Sequence, residues 1–132
     1  MFRSRVLLLL GLAVLILSGC QPNAAPEISL PALTLQNPQK ISELDKNYKQ
    51  YAKAKTLVQI RGKIIYQSRT TGGWAFVEDD TGVVLLDFEP TSPNFTLPPK
   101  QLGKTLTAEG RVSLDESVIN EYLLIPTSYK ID

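Results

Sequence analysis

Asp80-Thr81-Gly82 has the residue types that hold a carboxylate on a tight loop. Two such aspartates sharing one proton can run acid–base hydrolysis. The flanking residues argue against that chemistry. Gly82 leads straight into Val83-Val84-Leu85-Leu86, which continues as a strand, and Asp80 follows Glu78 and Asp79 rather than an apolar run. The triplet occurs once, so a second aspartate of the same kind would have to come from another copy of the chain. The same residues make an ordinary hairpin turn, in which Asp tolerates the geometry and Gly82 is expected to supply a positive φ.

The remaining catalytic options are few. The chain has no histidine and one cysteine, Cys20. This excludes histidine-assisted triads and His/Cys zinc sites. Glu78, Asp79, Asp80, Asp87 and Glu89 lack the spacing of a calcium loop, and they read as solvated charge. Paired-carboxylate glycoside hydrolysis needs a cleft between its two acids, which so small a domain does not suggest. The expectation is a non-catalytic protein without cofactor or metal.

The N-terminus carries a separate chemistry. Arg3 and Arg5 precede an apolar run from Val6 to Leu17, followed by Leu17-Ser18-Gly19-Cys20. A charged start, a short apolar core and small residues before a cut site describe a secretory signal peptide. The apolar run falls short of the ~20 residues of a membrane span. The four residues ending at Cys20 resemble the lipobox of bacterial lipoproteins. That resemblance implies a diacylglyceryl group on the Cys20 thiol, cleavage before Cys20, and acylation of the new amine. Two or more acyl chains anchor a protein stably. The expected location is therefore the outer face of the cell membrane, by a lipid anchor. In a Gram-negative cell, Gln21 in place of Asp favours the periplasmic face of the outer membrane. With Cys20 lipidated, no thiol is left and no intrachain disulfide can form.

The chain divides into a signal peptide over 1–19, a lipidated cysteine and tether over 20–40, and a domain over 41–132. Pro22, Pro26, Pro31 and Pro38 disfavour a helix in the tether. An extended stretch of this kind advances about 3.1 Å per residue, so it could span up to ~60 Å. Ile28, Leu30, Leu33 and Leu35 leave open that part of it packs on the domain.

Residues 41–55 show apolar positions Ile41, Leu44, Tyr48 and Tyr51 at helical spacing. Ser42 and Asp45 suggest a capping box at its start. Strands are expected over 57–66, 74–78, 83–88, 105–112 and 121–131. Pro126 in the last points to an edge or a bulge. Two segments echo each other: Val58-Gln59-Ile60-Arg61-Gly62-Lys63-Ile64 and Leu106-Thr107-Ala108-Glu109-Gly110-Arg111-Val112. A glycine inside a strand marks a bulge or bend, and small barrels need such bends.

Two glycine-bent strands around a hairpin resemble the OB-fold, a five-stranded Greek-key barrel. The expected fold is thus all-β with one short N-terminal helix: a five-stranded OB-fold-like barrel. An SH3-like barrel is the competitor. The motifs "VQIRGKI", "WAFVEDDTGVVLLD" and "LTAEGRV" are similar to those of the exported bacterial OB-fold family of small periplasmic proteins. That likeness implies a non-catalytic ligand-binding fold. The lipobox, the proline-rich connection over 89–101 and Pro126 depart from the family pattern.

Removal of residues 1–19 leaves 12 basic and 13 acidic residues, a weak footprint for nucleic acid. Eight of the basic residues fall within 40–69, and ten of the acidic ones lie in 70–132. Strands two and three form the usual OB binding surface. On strand three, Val83 and Leu85 are expected to face outward. Either the tether or the helix covers them, or they form a partner face. Trp74 and Phe76 read as core residues, a lone Trp on a strand being usually buried; the alternative makes Tyr66 and Trp74 stacking groups for a ligand, with Arg61, Lys63 and Arg69 beside them. The expected function is recognition of an envelope polymer such as peptidoglycan, or of an envelope protein. Single-stranded nucleic-acid binding and a structural role in an envelope assembly are the alternatives.

Overall fold

The computed structural model describes residues 30–69, 72–91 and 96–132. The leader, Cys20 and the tether up to residue 29 lie outside the described residues. A helix, α1, covers Ile41–Ala54, followed by strands β1 (Leu57–Gln67), β2 (Trp74–Asp79), β3 (Gly82–Asp87), β4 (Thr105–Leu114) and β5 (Tyr122–Ile131). The strands close into a barrel in the order β1-β2-β3-β5-β4. This is the OB-type arrangement, a short Greek-key barrel that removes its sheet edges by closure. All neighbours are antiparallel except β3 and β5, whose parallel pairing at Leu86 and Leu124 closes the barrel. No helix among the described residues is long and apolar enough to cross a membrane.

The two-residue period of the strands fills the interior. Val58 and Ile60, Ala75 and Val77, Val84 and Leu86, Leu106 and Ala108, and Leu124 are all buried. β1 pairs with β4 along 57–63 and with β2 from Lys63 onward. Gly62 sits at that handover. A Cβ there would collide with the Glu78 carbonyl and with Val77 Cγ1. Gly110 has the matching role in β4, opposite Pro126, where the β4–β5 register slips by one residue. A Cβ on Gly110 would strike the backbone of Ile125 and Pro126. The bulge expected at Pro126 is therefore present, and the sequence echo marks two points of close backbone approach.

Helix α1 plugs one end of the barrel with Ile41 and Leu44, both fully buried. Tyr48 stacks on Tyr122 with ring centroids 4.9 Å apart. The start of the helix differs from the expected capping box. Lys40 is the N-cap residue and makes no side-chain cap. The Asp45 carboxylate instead accepts the Tyr122 hydroxyl at 2.7 Å. The cap comes from the β2–β3 turn: Asp79 Oδ2 accepts the Ile41 N–H at 2.8 Å and Thr81 Oγ1 accepts that of Ser42 at 3.0 Å. The other Asp79 oxygen accepts the Thr81 and Gly82 N–H groups and the Thr81 hydroxyl.

So the triplet of the opening is a turn, and the turn serves as a helix cap. Gly82 does not supply a positive φ, since among the described residues the positive-φ glycines are Gly72 and Gly103. It is small because α1 docks there: a Cβ on Gly82 would lie 3.3 Å from Ile41 Cγ2.

From Leu30 to Gln39 the chain lies along the outside of β1, β4 and β5. Its latch is Glu109, which projects from β4 and is only 2% exposed. The carboxylate accepts the N–H groups of Thr34 and Leu35 at 2.9 Å and the Thr34 hydroxyl at 2.8 Å. Gln59 Nε2 donates to Glu109 and to the Leu35 carbonyl. Gln39 then forms a parallel bridge to Ile60.

Removing the cap tests the role of the turn. Asp79→Ala is expected to cost about 0.5–2 kcal/mol, the usual range for a lost N-cap, read as a lower urea midpoint. Acid tests the two carboxylates together. Burial pushes Asp79 and Glu109 up, but the hydrogen bonds from Thr81, Ile41 and Gly82 to the first, and from Leu35, Thr34 and Gln59 to the second, outweigh it. Both pKa values lie below the ordinary carboxylate range. Their contribution is therefore full above the unfolded-state pKa of about 4 and is lost as pH falls through the folded value. The urea midpoint is expected to fall between pH 5 and pH 2, and less steeply in Glu109→Gln.

Candidate functional site

The closed barrel sends the other half of each strand outward. On β2, Ala75 and Val77 are buried while Trp74 and Phe76 face out, partly covered. Across the sheet, Trp74 pairs with Asp87 and Phe76 with Leu85 on β3. The register of β1 against β2 shifts between Ile64 and Tyr66. This bulge leaves both Ile65 and Tyr66 outside, 42% and 45% exposed, and brings Tyr66 beside Phe76. Tyr66 stacks on Trp74 at 5.0 Å with the rings 14° apart, and Phe76 meets Trp74 edge-on at 6.0 Å. Three aromatic rings thus form one outer platform on β1 and β2.

The platform is one wall of an open groove of about 360 Å³. Trp74 and Phe76 line it from β2, Leu85 from β3, Leu123 from β5, and Val118 from the segment before β5. Asp87, Glu89 and Asp115 supply the polar lining. Val118 and Asp115 belong to the β4–β5 connection, which Asn120 ties to β3 by donating to the Val83 carbonyl at 3.2 Å. The connection thus reaches β3 at Val83, and its Val118 shares the groove with Leu85. It leaves the groove open beside them.

The carboxylates of the groove are held in place by short loops. Asp87 Oδ1 accepts the Glu89 N–H at 3.0 Å. Asp115 Oδ1 accepts the Ser117 N–H at 3.0 Å and its hydroxyl at 2.6 Å. Those bonds from Ser117 hold Asp115 below the ordinary aspartate range. Among the described residues, none of the three carboxylates has an ion pair with a lysine or arginine.

The basic residues divide between two other places. Arg69 lies with Tyr66 and Lys100 around a second groove of about 420 Å³ on the far side of the platform. Arg61 and Lys63 line a third, beside Pro38, Gln39 and Lys40. Arg61 there donates to Asp132 at 2.8 Å and to Thr107 at 3.0 Å. The structure thus stacks Tyr66 on Trp74, sets Arg69 in one groove with Tyr66, and puts Arg61 and Lys63 in another that none of the three rings lines. Cys20 lies outside the described residues. Sequence reasoning did not find Asp115 and Val118, which lie about 40 residues from Trp74 and meet it only through the barrel. Asp87 and Glu89 were visible, but read as solvated charge. No cluster of three or more potential metal-ligating side chains occurs among the described residues.

The placement of Trp74 outside the barrel has a measurable consequence. Trp74→Ala is expected to cost less than a core truncation, since it removes two aromatic contacts outside the barrel, each worth about 0.5–1.5 kcal/mol. Leu86→Ala, which opens a cavity inside the barrel, is expected to cost about 2–5 kcal/mol. Urea unfolding of the two variants checks the difference.

No family model and no curated protein matches the chain. Among solved structures it is similar to the hypothetical protein ygiW from E. coli, at 15% sequence identity and a TM-score of 0.45, over 74% of this chain and 91% of that chain.

Proposed function

We propose that this protein is a non-catalytic binding module of the bacterial cell envelope, held to a membrane by lipid on Cys20. Its recognition face is the outer side of β1, β2 and β3, and its target is an envelope polymer or an envelope protein. The observation that carries this reading is the outward platform of Tyr66, Trp74 and Phe76. Large aromatic groups cost solubility when left exposed, and clusters of them mark contact surfaces. Trp74 and Phe76 of the platform lie on β2, one of the two strands that form the usual binding surface of OB-type barrels.

Export and lipidation are supported by the leader and by Leu17-Ser18-Gly19-Cys20. With the chain docked on the barrel from Leu30 onward, nine residues, 21–29, separate Cys20 from the domain. Fully extended they reach about 30 Å. The domain would therefore work close to its membrane.

Single-stranded nucleic acid is the second reading, favoured by stacking rings with Arg69 and Lys100 nearby. The carboxylates along the other side of the same rings weigh against it, since they repel phosphates.

Co-sedimentation separates these readings. The full-length chain in neutral detergent is mixed with purified peptidoglycan, and single-stranded DNA retention is measured beside it at low and high salt. The envelope reading expects retention on peptidoglycan, or on an envelope protein, that Trp74→Ala removes. Tight DNA binding that falls steeply with salt would favour the second reading. Labelling with a radioactive fatty acid, lost in Cys20→Ala, checks the anchor.

A further inference from the structure

We propose that the groove between β2–β3 and the β4–β5 connection receives a lysine or arginine side chain presented by a protein partner. The proposal rests on the binding-module reading above and chooses a protein within it. Two properties of the groove, on different elements, point to this occupant.

The first is its charge. Asp87 ends β3, Glu89 follows it, and Asp115 follows the end of β4, so three carboxylates line one groove. The described structure pairs none of them with a cation, although it pairs Asp80 with Lys40 and Asp132 with Arg61. Among the described residues, the hydrogen bonds they accept use one oxygen of Asp87 and one of Asp115. An incoming ammonium or guanidinium group would find unused acceptors there. A phosphate or carboxylate polymer would meet repulsion.

The second is its apolar length. Trp74, Phe76, Leu85, Val118 and Leu123 line the same groove. A small hydrated cation has no use for such walls. Lysine and arginine carry a charged head on an apolar stem that packs along apolar surface, and indole faces attract cations. Apolar walls with acidic groups among them match that shape along its length. Tyr66, stacked on Trp74, stiffens the wall without entering the groove.

The chain carries one tryptophan, Trp74, so its fluorescence reports on the groove directly. The full-length chain in neutral detergent is titrated with tetralysine at low salt. The expected result is a saturable change in Trp74 emission that weakens as salt rises. Tetralysine acetylated on its side chains, and tetraglutamate, should give no comparable change. Glu89→Gln with Asp87→Asn should weaken binding about tenfold or more. Val118→Lys, which places a cation of the chain's own in the groove and leaves every carboxylate intact, should also abolish the response. Circular dichroism and urea midpoints confirm that the variants fold.

An equal response to the acetylated peptide, or an undiminished response in both variants, would overturn the proposal. So would the absence of any response to tetralysine. If tetralysine gives none while peptidoglycan retains the chain through Trp74, the cationic proposal falls and the binding-module reading stands. If neither binds, both fall.

Discussion

A closed barrel of five short strands has room inside for few side chains, and that limit decides where the large residues of β2 go. Ala75 and Val77 fit the interior, so the two-residue period of the strand drives Trp74 and Phe76 to the outside. Closure then forces further choices. β1 must bend to pair with both β4 and β2, which Gly62 permits. Its bulge before Tyr66 turns that ring outward onto Trp74. The aromatic platform is thus a consequence of packing a small core, and the same packing makes it rigid. Side chains held by neighbouring rings and by a hydrogen-bonded sheet lose little freedom on binding, which favours affinity.

Two carboxylates extend that order beyond the sheet. Asp79 closes the β2–β3 turn with one oxygen and caps α1 with the other. It joins the hairpin that carries the platform to the helix that plugs the barrel. Glu109 does similar work on the opposite side, where it fastens the incoming chain to β4 through backbone N–H groups. Both groups spend their acceptors on the protein itself. Among the described residues, Asp87 and Asp115 of the groove each give one oxygen to the protein and keep the other, and this contrast separates structural acids from those available to a partner. The segment from Leu30 to Gln39, a strap fastened to β4 through Glu109, leaves the platform on β1 and β2 uncovered.

Much of this architecture was legible in the sequence. The apolar alternation located all five strands within two residues of their observed ends, because burial on one face leaves a direct record. The echo around Gly62 and Gly110 pointed to the bends, since close backbone approach tolerates no other residue. Local patterns failed where a distant residue took over a local task. Ser42 and Asp45 have the spacing of a capping box, yet Asp79 and Thr81 cap the helix from the next hairpin. Gly82 looked like a φ > 0 residue and is instead a docking point for Ile41. Arg61 and Lys63 are close to Tyr66 in sequence, but the extended strand carries them away from it. The groove was the least legible part, because Asp115 and Val118 reach Trp74 only once the barrel has closed.

The central claim is that the outer face of β2 and β3 is where this protein meets its partner. Backbone amide NMR of the isotope-labelled chain, recorded as tetralysine is added, tests it most directly. The account predicts shift changes concentrated at 74–76, 85–89 and 115–118, with the strap at 34–39 and the barrel interior unaffected. Changes confined to α1 or to the Arg61–Lys63 groove, with the amides around Trp74 unmoved, would contradict it.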